Sequence, residues 1–160
     1  MREILPVYET RLVRHGRRRK AVPAIQTSQA LYALVKPYFA TLDREHLVVL
    51  YLDTGLHPTG CKLESIGSAT QCLADVRLIV RDALLANAGH LAVAHNHPSG
   101  QLSPSPEDRG LTERIREATA FVGIVLIDHL IVTAEGYYSF ADHGFFQPNV
   151  RPFKGGAVCA

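Results

Sequence analysis

The sequence predicts an α/β fold in which a central sheet lies between layers of helices. Apolar runs of strand length alternate with segments whose apolar residues recur at helical spacing. The strand-like run at residues 46–54 is nearly all apolar, which is typical of a strand covered on both faces, and residues 90–97 and 124–133 predict two further strands. The length of 160 residues fits one domain better than two. Strands and helices that alternate in this way form layered α/β domains.

The first elements in chain order are a strand and a helix. Alternation in PVYETRLV predicts the strand at residues 6–13, and apolar spacing predicts the helix at residues 28–42. Thr27 or Ser28 can cap the start of this helix, and Pro37 is expected to kink or shorten it. After the strand at 46–54, the segment CKLESIG, residues 61–67, predicts a second strand.

The rest of the chain repeats the alternation, and most elements end at a residue that interrupts secondary structure. They are a helix at 73–88 capped by Gly89, a strand at 90–97 stopped by Pro98, a helix at 108–122 ended by Gly123, a strand at 124–133 and a short strand in EGYYSFA at 135–141. We therefore predict a single domain over residues 1–146, with its core at 40–146 and a tail rich in Pro and Gly at 147–160.

Composition narrows the class of protein. Hydrophobic residues make up 47% and charged residues 20%, as in a globular protein. No apolar run approaches the ~20 residues of a membrane span, and the N-terminal segment lacks the features of a signal peptide. The three cysteines, Cys61, Cys72 and Cys159, contain no CxxC pair, which argues against disulfides and thiolate zinc sites. We predict a cytoplasmic protein.

Positive charge is concentrated at the N-terminus. Residues 1–20 contain seven Lys or Arg and two Glu, and the run RLVRHGRRRK spans residues 11–20. Such a run could contact the phosphates of a nucleic acid, or it could be a solvated turn. It contains no aromatic residue on which bases could stack.

The stretch AHNHPSGQLSPSPEDRG, residues 94–110, holds the strongest chemical pattern. His95 and His97 are two residues apart on a predicted strand, so their side chains share a face. Asp108 begins the next helix and could complete a His₂-carboxylate set, which recurs in catalytic zinc sites. The alternative is purely structural, because Ser105 and Asp108 also fit a capped helix start in which Asp108 reaches back to the cap amide.

The same residues carry a family resemblance. HNHPSGQLSPSPED resembles the signature of the RadC-like branch of JAMM (MPN+/JAB) metallopeptidase domains: an upstream Glu, His-x-His, seven residues, Ser, two residues and Asp. The segments LDREHLVVLYLD, IGSAT, IDHLIV and YYSFADHG are also similar, so the resemblance covers roughly residues 40–146. It implies a JAB/MPN-like fold, with a mixed central sheet flanked by helices in a cytidine-deaminase-like layering. We expect a stand-alone domain without the helix-hairpin-helix domain that often precedes this one.

The resemblance also implies roles for individual residues. His95, His97 and Asp108 would bind one Zn²⁺ per chain, and Ser105 would donate a hydrogen bond to the oxyanion. The general base would be Glu45, with Glu64 as the second candidate. The implied activity is hydrolysis of peptide or isopeptide bonds in a protein or peptide substrate, in a family associated with DNA repair.

Other hypotheses stay open on the sequence. The chain could be a non-catalytic module that binds nucleic acid or protein and keeps a structural or vestigial metal, and an edge strand or the tail could pair two copies into a homodimer. Ser99 and Asn96 are candidates to orient the imidazoles. Asp128 and His129 are adjacent on a strand and face opposite sides, so they cannot readily bind one metal together; we expect one of them in the core, hydrogen-bonded to a neighbour.

Overall fold

The structure is a computed structural model that describes residues 22–39, 44–66 and 74–146, with the backbone alone for residues 64–66. The described ranges contain three helices and five strands: α1 (Ser28–Phe39), β1 (His46–Leu52), β2 (Pro58–Ile66), α2 (Val76–Leu85), β3 (His90–Asn96), α3 (Pro106–Phe121), β4 (Val125–Val132) and β5 (Tyr137–Ser139). Several predicted features lie outside the described residues: the strand at 6–13, the basic run at 11–20, Cys72, Cys159 and the tail at 147–160.

The strands form one mixed sheet in the order β2-β1-β3-β4-β5. The central pair, β3 and β4, is parallel, and all other neighbours are antiparallel. Two parallel neighbours need a crossover, which α3 provides. The predicted fold class, an α/β JAB/MPN-like fold with a mixed sheet flanked by helices, is confirmed.

The sheet is covered on both faces, as the apolar strands predicted. Helix α1 covers one face, where its side chains pack against alternate residues of the central strands; this cluster includes Leu31, Val35, Val48, Leu50, Ala92, Ala94 and Leu130. Helices α2 and α3 cover the other face, in a cluster that includes Leu47, Val49, Ile79, Leu91, Val93, Ile115 and Ile131. His95 follows Leu91 and Val93 in the alternation of β3, so it lies on the α2–α3 face.

Helix α1 is described from Ser28 to Phe39, and Pro37 lies inside it, where its missing N–H removes one hydrogen bond. Residues 40–42 of the predicted helix lie outside the described residues. Thr27 caps the helix, because its hydroxyl oxygen accepts from the Ala30 N–H at 3.1 Å. Tyr38, next to Pro37 in the helix, is 54% exposed.

The prediction that Gly89 caps α2 is wrong. The helix ends at Leu85 with Ala86 as its cap, and Asn87 adopts the left-handed conformation with φ of 51°. Gly89 instead passes close to the turn after β1, where a Cβ atom would lie 2.9 Å from the Thr54 Cγ2 atom. Gly123, at φ 76°, does follow the C-terminal end of α3 as predicted.

Two further observations concern the described ranges alone. None of their helices has the length and apolarity that crossing a bilayer requires. Cys61 on β2 is an exposed free thiol.

A β-bulge in β4 changes which side chains face each helix layer. Leu91 of β3 pairs with Leu126, but the next residue, Ala92, pairs with Asp128, so Ile127 is an extra residue. Side chains after the bulge are therefore on the opposite faces from those that simple alternation from Leu126 would assign. As a result His129 pairs with Val93 and lies on the α2–α3 face.

Candidate metal centre

The C-terminal end of β3 and the N-terminal end of α3 meet at one place on the α2–α3 face. His95 lies on β3 between Leu47 of β1 and Ile131 of β4 in the sheet register. The loop at residues 98–105 then reverses the chain, and Pro106 begins α3. The end of a strand and the start of the next helix thus bring their polar side chains together.

Four of the predicted site residues converge here. The His95 Nε2 atom lies 2.9 Å from the His97 Nε2 atom and 3.1 Å from the Asp108 Oδ1 atom. His97 Nε2 lies 3.6 Å from the Asp108 Oδ2 atom and 3.5 Å from the Glu45 Oε1 atom. The side chain of Glu64, the second candidate for the base, lies outside the described part of the structure.

Asp108 both caps α3 and faces the imidazole of His95, so the two alternatives left by the sequence are compatible. Its Oδ2 atom accepts from the Ser105 N–H at 2.8 Å, and the Ser105 hydroxyl oxygen accepts from the Asp108 N–H at 3.0 Å, which together form a capping box. Its Oδ1 atom is the one that faces His95. One carboxylate oxygen therefore starts the helix while the other remains directed into the cluster.

The Ser105 hydroxyl gives its hydrogen to Asp108. The Ser105 Oγ atom lies 2.7 Å from Asp108 Oδ2. A serine hydroxyl has one hydrogen, so donation to an oxyanion would require this bond to break. In the arrangement observed, Ser105 holds the carboxylate in place, and its role toward an oxyanion stays a prediction.

The arrangement of the two imidazoles fits a cation. His97 Nδ1 lies 2.7 Å from the carbonyl oxygen of Gln101, which can only accept, so Nδ1 carries a hydrogen and Nε2 of the neutral ring carries a lone pair. That lone pair faces His95 Nε2 at 2.9 Å, with carboxylates on both sides. Two ring nitrogens approach this closely when one carries a hydrogen directed at the other or when a cation lies between them. Two imidazoles and a carboxylate are a recurring set for zinc.

The two acids differ in how they are held. Glu45, His95 and His97 each offer one ligand atom within 4.8 Å of the others, so this group can hold a metal ion. Asp108 contacts both imidazoles, its side chain is 12% exposed, and Ser105 fixes its orientation. Among the described residues, Glu45 approaches His97, and its side chain is 24% exposed. Of the two, Asp108 is the more rigid carboxylate and Glu45 the more accessible one.

The cluster shifts the pKa values of its own members. The hydrogen bond to Asp108 raises the pKa of His97 above its ordinary value, burial opposes this shift, and the Gln101 carbonyl adds to it. Burial by itself would raise the pKa of Asp108. The neighbouring rings of His95 and His97, when they carry a hydrogen on Nε2, and the Ser105 hydroxyl hold it well below its usual range. Asp108 is therefore ionised at neutral pH, as a metal ligand must be.

Asn96 has a role that the sequence did not indicate. Its side chain points away from the imidazoles, so the prediction that Asn96 orients them is wrong. Its Oδ1 atom accepts from the His46 N–H at 2.8 Å, and its Nδ2 atom donates to the Arg44 carbonyl at 2.9 Å. Asn96 thereby holds the backbone on both sides of Glu45.

The groups that do orient the imidazoles were not found from the sequence. His97 is held by the Gln101 carbonyl. In the part of the chain that the structure describes, the Ser99 hydroxyl instead accepts from the Gln101 N–H, at 3.4 Å. His95 Nδ1 lies 2.8 Å from His129 Nε2. Burial lowers the pKa of His129 well below its ordinary value, so this ring is neutral. The sequence signal for this role was the position of His129 beside Asp128, two polar residues inside an otherwise apolar strand.

Asp128 and His129 are both buried, on opposite faces of β4. The Oδ1 atom of Asp128 accepts from the Ala141 N–H at 3.0 Å, and its Oδ2 atom accepts from the Ser139 hydroxyl at 2.7 Å. Asp128 therefore anchors the turn after β5. Burial raises the pKa of this carboxyl to about 7, against the opposing effect of its hydrogen bonds.

We expect Asp128→Asn to remove a pH-dependent part of the stability. A carboxyl whose pKa is 3.8 unfolded and about 7 folded binds more protons in the folded state. Its contribution is therefore most favourable below pH 4, falls as the pH rises to 7 and then levels off. The variant should match the wild type near pH 4 and exceed its free energy of unfolding by roughly 4 kcal/mol at pH 8. Urea unfolding across this range measures the difference.

The control for this experiment is Asp53→Asn. The backbone N–H of His57 donates to Asp53 and lowers the pKa of this carboxyl, and the His57 side chain and the Gly55 N–H add to the shift. The contribution of Asp53 to stability therefore changes with pH in the opposite direction. Parallel curves for Asp128→Asn and the wild type would show that Asp128 does not titrate in this range.

The comparisons with known proteins agree with the geometry. A family model described as RadC-like JAB domain matches residues 25–145. A UPF0758 protein of Rubrobacter xylanophilus is 39% identical over 122 residues, which cover 76% of this chain and 53% of the relative. One from Thermotoga maritima is 43% identical over 103 residues (64% and 46%), and one from Shouchella clausii is 38% identical over 138 residues (86% and 56%). The chain thus spans about half the length of these relatives, and it belongs to the RadC-like JAB domain family.

Proposed function

We propose that the chain is a zinc-dependent hydrolase of peptide or isopeptide bonds, of the JAMM type. The observation that carries the proposal is the convergence of two imidazole nitrogens and the fixed carboxylate of Asp108 beside the accessible carboxylate of Glu45. This set combines three ligand atoms with a separate acid, which a metal-assisted hydrolase requires.

His95, His97 and Asp108 would hold the metal. Zinc in such a site supplies a Lewis acid and lowers the pKa of water toward about 7. Hydrogen bonds hold two of these ligands in fixed orientations: Gln101 fixes the ring of His97, and Ser105 fixes the carboxylate of Asp108. Burial of His95 and Asp108 strengthens their interaction with a cation, because nearby charges are screened less than in water.

Glu45 would transfer the proton. It lies at the more exposed side of the cluster, in the segment that Asn96 holds in place. As water attacks the carbonyl carbon, Glu45 accepts its proton and then donates it to the amine nitrogen as the C–N bond breaks. This step needs a carboxylate that is close to the site and free to move. Within the described residues Ser105 donates to Asp108, and no such donor holds Glu45.

The test is hydrolysis by the zinc-loaded chain. We use two probes. A mixed-sequence peptide library should yield new amino termini, and peptides whose C-terminal glycine is joined to a lysine Nζ atom should release the free lysine amine. Mass spectrometry identifies the products. A chelator should abolish the activity, and added zinc should restore it.

Two results would contradict the proposal. Failure to bind zinc would remove the catalytic metal. Tight zinc binding without hydrolysis of either probe would favour a non-catalytic binding module.

A further inference from the structure

A buried chain of three hydrogen bonds leads from His95 back to the backbone of Asp108. His95 Nδ1 lies 2.8 Å from His129 Nε2, and His129 Nδ1 lies 2.6 Å from the Thr112 hydroxyl oxygen. The Thr112 hydroxyl lies 2.6 Å from the carbonyl oxygen of Asp108. All four residues are buried, and Thr112 and His129 have no exposed surface.

The direction of each hydrogen bond follows from counting hydrogens. The Asp108 carbonyl can only accept, so the Thr112 hydroxyl uses its one hydrogen there. The Thr112 oxygen must then accept from His129, which places a hydrogen on His129 Nδ1 and, in the neutral ring, a lone pair on Nε2. That lone pair accepts from His95 Nδ1, so the free lone pair of His95 is on Nε2.

The remaining contacts of His129 hold its ring still. Phe140 stacks on it with ring centroids 4.9 Å apart and planes at 12°. Phe140 lies between Ser139 and Ala141, the two residues that Asp128 binds from the other face of β4. Asp128 thus holds the backbone on both sides of Phe140, and the ring of Phe140 packs against the ring of His129.

We propose that His129 is a positioning residue for the metal site and that, together with Thr112, it selects the His95 tautomer whose Nε2 can bind a metal. The inference rests on the proposed function for the presence of the metal. The four residues close a ring, since the Asp108 backbone accepts at one end and the Asp108 side chain faces His95 Nε2 at the other. The orientations of two ligands on different elements are therefore coupled.

Thr112→Val tests this inference, with Thr119→Val as the matched control. Both threonines are fully buried on α3, and each donates to a carbonyl of its own helix, but Thr119 bonds to Arg116 away from the site. Valine at 112 leaves His129 Nδ1 without an acceptor, which favours moving the hydrogen to Nε2 and, in turn, to His95 Nε2. We expect zinc to bind about 10- to 100-fold more weakly to Thr112→Val, as when other outer partners of metal ligands are lost. Thr119→Val should bind zinc as the wild type does.

Competition with a chromogenic chelator measures the affinities, and the absorption spectrum of the Co²⁺-loaded chain reports ligand geometry. Equal affinities and equal spectra for the two variants would overturn the inference.

A second measurement needs neither a variant nor a metal. In the metal-free wild type at mildly alkaline pH, ¹⁵N spectra of histidine should show hydrogen on Nδ1 of both His95 and His129. Hydrogen on His95 Nε2 would overturn the inference even if zinc binds. Conversely, the expected tautomers in a chain that binds no zinc would support the positioning while contradicting the proposed function.

Discussion

Replacing His97 with alanine is expected to weaken zinc binding strongly. The side chain supplies one of the two facing imidazole nitrogens, and its removal leaves His95 and Asp108 as the remaining close pair. Four-ligand structural zinc sites provide about 10–16 kcal/mol, or roughly 3 kcal/mol per ligand, so the loss of one ligand should weaken binding about a hundredfold or more. Elemental analysis after reconstitution and a chelator competition measure the change.

The control for His97→Ala is His57→Ala. His57 lies in the turn after β1, where its ring contacts Asp53 and no residue of the cluster. That variant should bind one zinc per chain like the wild type. Zinc should also raise the melting temperature of the wild type and of His57→Ala, since a ligand stabilises the folded state it binds. A zinc affinity of His97→Ala equal to that of the wild type would contradict the predicted ligand set.

Glu45→Gln is expected to keep zinc and to lose hydrolysis. The amide preserves the size of the side chain and removes its ability to accept a proton, so catalysis should fall by about 10²- to 10⁴-fold. The fold should be unaffected, because Asn96 binds the backbone of Arg44 and His46 rather than the Glu45 side chain. Rates with the peptide and isopeptide probes, together with zinc content, check both parts.

Glu107→Gln is the matched control, because Glu107 is an exposed acid beside Asp108 in the first turn of α3. It should alter neither rate nor zinc content. Asp108→Asn completes the comparison, since it should lose zinc as well as activity. If Glu45→Gln lost zinc and Asp108→Asn kept it, Glu45 would be the third ligand and the two acids would exchange their proposed roles.

The local parts of the site could be predicted from the sequence because short-range geometry determines them. His95 and His97 share a face since strand side chains alternate, and Ser105, Pro106 and Asp108 start a helix by capping rules. The sequence could not show that capping and the contact with His95 coexist. That outcome depends on Asp108 using a different oxygen atom for each.

Contacts between distant segments were less predictable. Asn96 was expected to orient the imidazoles, but its side chain lies on the opposite face of β3. There it binds the segment around Glu45, including the N–H of His46, which is 50 residues away in sequence. Gly89 was expected to cap α2, but close packing against Thr54 accounts for its small size. In both cases a local role explained the residue type from the sequence, but the structure shows that the residue instead makes a contact with a distant segment.

The sequence by itself determined the α/β class, the order of the described elements and the histidine pair with the acid that begins the next helix. Periodicity, capping and spacing are local properties that any chain with these residues expresses. Only the tertiary structure decided that His129 faces His95, because one extra residue in β4 shifts the alternation after Leu126. That shift depends on how β4 pairs with β3, and pairing between strands is settled by the packing of both sheet faces rather than by either strand alone.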